Sequence, residues 1–131
     1  MPIKIIQPST VHDTTIFAYA QATRMGDLIF VAGQVPLDKD GKLVGEGDIQ
    51  RQTEQVFANL RAILEAAGSG LDKVGKVTVF TTKLEYRLLI HQIRTRVFKE
   101  AGILPASTLA VVTSLADPRW LVEIDAVALA G

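Results

Sequence analysis

A carboxylate inside an apolar strand is the first feature of this sequence with chemical potential. Glu123 lies in Leu121-Val122-Glu123-Ile124-Asp125-Ala126-Val127. Alternation places Glu123 and Asp125 on the face opposite Val122, Ile124 and Ala126. On a solvated face these are ordinary surface acids. Directed into a cleft, a half-buried Glu123 gains a raised pKa suited to acid or base work. A second feature is Arg87, His91 and Arg94, which fall on one helical face. They fit a solvated face, and they equally fit a polar stripe for an anion, since arginine offers a bidentate fork. A third is Leu104-Pro105-Ala106-Ser107-Thr108, where proline and small hydroxyl residues join a helix to a strand. It reads either as a plain connection or as part of a site.

Other chemistries have little support. The two histidines, His12 and His91, stand far apart in no metal-ligand spacing, so no metal is expected. Gly41, Gly45 and Gly47 lack the spacing of a phosphate loop. The serines lie in no nucleophile elbow. With no cysteine, disulfides and thiolate catalysis are excluded.

These residues need elements to hold them. Lys4 to Gln7 is a short strand candidate. Tyr19 to Arg24 and Leu28 to Val35 flank a tight turn at Met25-Gly26-Asp27, which predicts a hairpin. Asp48 is placed to cap a helix whose apolar residues Val56, Leu60, Ile63, Leu64 and Ala67 recur at helical spacing, with Gly68 as its stop. Val74 to Thr82 reads as a strand. Tyr86 to Ala101 reads as a second helix with Ile90, Ile93, Val97 and Ala101 buried. Thr108 to Leu115 and Trp120 to Leu129 read as strands separated by a turn at Asp117-Pro118. Strand–helix units in this order predict an α+β domain spanning 1–131, with both helices on one sheet face.

Composition narrows the functional class. The chain has 131 residues, 48% of them hydrophobic, with a mean hydropathy of +0.26. That is more apolar surface than a small interior takes up, so subunit contact is expected. No run reaches the roughly 20 apolar residues of a membrane span. Fourteen basic residues balance fourteen acidic ones, and aromatics are only 6%, so nucleic acid is a poor partner. The N-terminus lacks the pattern of a signal peptide, and a cytoplasmic protein is expected.

The ordered set of segments resembles the RidA/YjgF family. Tyr19-Ala20-Gln21-Ala22 and Phe30-Val31-Ala32-Gly33-Gln34-Val35-Pro36-Leu37-Asp38 look like its N-terminal signature. Leu64-Glu65-Ala66-Ala67-Gly68 is similar to the end of its first helix. Val74-Gly75-Lys76-Val77-Thr78-Val79-Phe80 is similar to its central strand. Pro105-Ala106-Ser107-Thr108 and Val122-Glu123-Ile124-Asp125-Ala126-Val127-Ala128 resemble its C-terminal signature. The match runs from about Tyr19 to Ala128. It implies a chorismate-mutase-like α+β fold and a homotrimer with small-molecule clefts between subunits. It further implies hydrolysis of reactive enamines and imines, such as 2-aminoacrylate, with no cofactor. Some members have been described as ribonucleases.

By the same resemblance, Tyr19 matches the family tyrosine near the cleft, and Gly33 the glycine whose backbone meets the ligand. Glu123 matches the carboxylate that orients or activates water, and Leu109 a residue that contacts ligand through its backbone. One departure stands out. Ser107 occupies the place of the arginine that grips the substrate carboxylate, and a serine cannot form that charged fork. Aligned through Thr78-Val79-Phe80 and Leu84, Arg87 falls where the family has an aromatic and His91 at a common asparagine. Slipped by one, Tyr86 takes the aromatic place; Phe98 favours the first register. The expectation is that Arg87 supplies the positive charge lost at Ser107. Two functions follow: a deaminase with an altered substrate range, or a non-catalytic small-molecule-binding trimer.

Overall fold

A computed structural model describes residues 2–131. Its elements are β1 (Lys4–Ile6), β2 (Ala22–Met25), β3 (Leu28–Gln34), α1 (Ile49–Ala66), β4 (Val74–Thr81), α2 (Arg87–Ala101), β5 (Ala106–Val111) and β6 (Val122–Leu129). The six strands form one mixed sheet in the order β1-β2-β3-β6-β4-β5. Only β4 and β5 run parallel, as a strand–helix–strand crossover through α2 requires. The α+β class and the two helices on one face agree with the sequence reading.

Alternation along the strands sets the layers. On β6, Val122, Ile124, Ala126 and Ala128 are buried beneath the helices, while Glu123 and Asp125 face the other way. Against this apolar face α1 packs Val56, Leu60, Ile63 and Leu64, and α2 packs Ile90, Ile93 and Phe98. Val97 and Ala101, expected in the α2 stripe, are only half-buried. Phe98 takes the inner position because its ring meets Phe57 of α1 edge to face, centroids 5.7 Å apart.

Both helix ends follow local chemistry. The Asp48 side chain accepts from the Arg51 N–H at 3.1 Å. Gly102 closes α2 with φ +75°, a left-handed geometry that spares glycine the Cβ clash, and Ile103 N–H returns to Phe98 C=O at 3.1 Å.

The last two strands are shorter than the sequence predicts. β5 ends at Val111 because its parallel partner β4 ends at Thr81, and Val112 N–H makes the final bond, to Thr81 C=O at 2.8 Å. β6 begins at Val122, not Trp120. Trp120 N–H closes a turn on Asp117 C=O, and Leu121 N–H is taken by the Gln52 side chain at 2.8 Å. Gln52, fully buried on α1, also donates to the carbonyls of Gly45 and Arg119. One side chain thus ties the loop before β6 to the loop before α1.

The face of the sheet away from the helices carries Leu28, Phe30 and Leu129, all substantially exposed. No helix among the described residues is long and apolar enough to cross a membrane.

Candidate functional site

The sheet register divides the sequence-predicted site residues between two places. Glu123 pairs across β6–β4 with Phe80 and faces away from the helices. Ser107 pairs across β5–β4 with Val77, a residue buried under the helices, and so lies on the helix side. Within one chain Ser107 and Glu123 therefore sit on opposite faces of the sheet.

Glu123, Tyr19 and Gly33 come together, bordering a cavity of about 650 Å³ on the face away from the helices. Glu123 is half-buried, and among the described residues no hydrogen bond or ion pair engages its carboxylate. Burial pushes its pKa above the ordinary 4.5, and the nearby Asp125 charge adds to the rise. Gly33 makes room for it. The β3–β6 register shifts between Val31 and Gln34, and a Cβ on Gly33 would lie 2.6 Å from Glu123 Oε2. Glycine here permits a close approach of the carboxylate, which a Cβ would push aside. Tyr19 stands in the loop before β2, where Thr14 Oγ1 donates to its carbonyl at 2.8 Å. Burial, then the charge of Glu123, raises its phenol above 10. Tyr19 is thus a neutral donor beside a carboxylate.

Among the cavity residues that the sequence reading missed are His12 and Trp120. His12 is buried, and that burial lowers its pKa below 6.5 against the opposing pull of Asp13. Gln21 Nε2 donates to the His12 carbonyl at 2.9 Å, and Gln34 Nε2 to Gln21 Oε1 at 2.7 Å. This chain of amides ties the His12 backbone to β3. No local pattern marks His12, since its partners Gln7 and Gln21 lie 5 and 9 residues away on either side. Trp120 reads as a strand residue in sequence, yet the Asp117 turn swings it to the cavity wall.

The second place is a groove of about 430 Å³ between α2 and β5, bordered by His91, Arg94 and Ser107. Arg94 Nη1 donates to Ser107 Oγ at 2.8 Å. Arg87 is not part of it. It is the first residue of α2, exposed to solvent, and the expected transfer of charge from Ser107 to Arg87 is corrected: Arg94 is the guanidinium at Ser107. Leu109 is half-buried against the core, in the row of Val79 and Ile124. It borders neither opening. Among the described residues, no cluster of three or more His, Cys, Asp or Glu is placed to hold a metal ion.

Known proteins place this geometry. The chain matches the family model described as "Endoribonuclease L-PSP" over residues 11–130. It is 41% identical to the RutC family protein PH0854 of Pyrococcus horikoshii, over 84% of this chain and 85% of that one. Its fold superposes on YyfA of Yersinia pestis, described as a protein of unknown function of the conserved Rid family. The TM-score is 0.91 and the identity 32%, over 98% and 99% of the two chains. TdcF of E. coli, solved with bound serine, superposes with a TM-score of 0.85 at 27% identity, over 98% and 99%. With nearly its whole length matched in sequence and in fold, the chain belongs to the endoribonuclease L-PSP family, the RidA/YjgF group that its segments resemble.

Proposed function

We propose that this protein is a hydrolytic deaminase of small enamines or imines, working in clefts between the subunits of a homotrimer. The reaction consumes only water. Glu123 accepts a proton as water adds to the C=N carbon, and the proton passes to nitrogen. The carbinolamine then passes its hydroxyl proton to nitrogen by way of Glu123, the C–N bond breaks, ammonia leaves and a carbonyl remains. Tyr19 donates a hydrogen bond to the substrate, and the chain around Gly33 borders its reacting end.

The observation that carries this reading is the unpartnered, half-buried Glu123 carboxylate in the space that Gly33 leaves, on the wall of a cavity shared with Tyr19. A raised pKa improves a carboxylate as a base near neutral pH. The split of Ser107 from Glu123 supports the trimer, since a neighbouring copy can bring its helix-side groove to this cavity. The bound serine of TdcF, a small amino acid, supports a small carboxylate-bearing ligand.

Imines generated by an amino-acid oxidase provide the test, with ammonia release as the readout. Wild-type protein is expected to accelerate release, and Glu123→Gln to lower kcat by roughly 100-fold or more. The second reading, a non-catalytic binding trimer, is favoured by the serine at 107. It prevails if the wild type releases no ammonia above background from any imine. Zero net charge and few aromatics leave an RNA-cleaving reading without an electrostatic footprint.

A further inference from the structure

We infer that Thr14 is a positioning residue for Tyr19: its hydroxyl clasps the loop that ends in the tyrosine and so fixes where the phenol stands on the cavity wall. Tyr19 is 46% exposed, so packing alone does not hold it. From Asp13 to Tyr19 only Thr14 is buried. Its backbone and side chain draw the two ends of the loop together. Phe17 N–H donates to the Thr14 carbonyl at 2.9 Å, and Thr14 Oγ1 lies 2.8 Å from the Tyr19 carbonyl. A hydroxyl has one proton, and Thr14 Oγ1 also lies 3.1 Å from Gln7 Oε1. The shorter contact takes the proton, since Gln7 Oε1 is already served by Gln21 N–H at 3.0 Å.

The loop needs such a clasp. Ala18, just before Tyr19, has φ +63° and is the one left-handed non-glycine residue among the described residues. That conformation is unfavourable for alanine and persists where the surroundings over-determine it. A turn bond, Ala18 N–H to Thr15 C=O at 3.0 Å, holds it from one side. The Thr14 hydroxyl on the Tyr19 carbonyl holds it from the other. Without the hydroxyl, Ala18 is free to relax to negative φ, and the direction of the chain at Tyr19 changes with it. The phenol then leaves the neighbourhood of Glu123, whose charge it feels in the clasped loop. Resting on the deaminase reading, this makes Thr14 act on catalysis only through Tyr19.

The test combines ammonia release with titration of the Tyr19 phenol. The chain has two tyrosines, so a Tyr86→Phe background leaves Tyr19 as the only one, read by its ultraviolet absorbance. Thr14→Val, close in shape without the hydroxyl, is expected to lower kcat/KM roughly 10- to 100-fold, and Thr14→Ser to recover it to within about threefold. Added to Tyr19→Phe, Thr14→Val should cost less than about twofold more. In the titration the phenol, raised above 10 in the clasped loop, should fall toward 10 in Thr14→Val and stay raised in Thr14→Ser. Circular dichroism melts check folding, with Thr14→Ala in place of a Thr14→Val that does not fold. An unmoved phenol in folded Thr14→Val overturns the clasp, as does the full loss appearing on top of Tyr19→Phe. A Thr14-dependent phenol with no ammonia release from the wild type supports the clasp and overturns the deaminase reading alone.

Discussion

Glu123 and Gly33 define the site at the scale of single residues, and each carries a prediction. A Cβ at position 33 has no room beside Glu123 Oε2 at 2.6 Å. Gly33→Ala must therefore displace the carboxylate. Ammonia release should fall about tenfold or more, in line with the cost of misplacing a catalytic group, while the far-ultraviolet spectrum stays unchanged. Glu123 has the opposite balance between stability and activity. Its folded pKa is raised, so the proton is held more tightly in the folded state. The sign follows directly: Glu123 supports the fold at acid pH, and that contribution is lost as pH rises through its folded pKa. Glu123→Gln, expected to be slow in the ammonia assay, should melt higher than wild type at pH 7 and lose that advantage in acid. The acid limb of the wild-type kcat profile should lie above the ordinary glutamate value of 4.5. A limb at or below that value removes the case for a buried base.

At the scale of elements, Gln52 decides where β6 begins and where Trp120 stands. Its side chain bonds Leu121 N–H, Arg119 C=O and Gly45 C=O. Gln52→Ala leaves a buried donor and two carbonyls without their partner. It should destabilise the protein by about 2–4 kcal/mol, read from urea denaturation. Catalysis should suffer as well, because the loop it holds presents Trp120 to the cavity. Spacing revealed both helices to within a few residues, since apolar periodicity and end signals are local. It did not reveal that α1 buries Gln52, Thr53 and Asn59. These polar residues bond carbonyls, and Asn59 serves those of Val35 and Leu37, far off in sequence. Nothing in the helical pattern names such partners.

For the whole molecule, the proposed assembly is the decisive matter. The face away from the helices exposes Leu28, Phe30 and Leu129, and the two halves of the site need a second copy to meet. Sedimentation equilibrium should give a mass three times the 14.2 kDa chain; a monomer at assay concentration would dissolve the shared cleft. The sequence by itself determined the α+β class, the family, and the grouping of Tyr19, Gly33 and Glu123, because strand alternation and an ordered set of signatures are written along the chain. Only the tertiary structure decided which arginine faces Ser107. Arg87 and Arg94 are seven residues apart, two helical turns on nearly the same face, so periodicity cannot separate them. They differ by about 10 Å along the helix axis. The height at which α2 crosses β5 selects between them, and that height is fixed by the parallel β4–β5 register and the Phe57–Phe98 contact, both long-range.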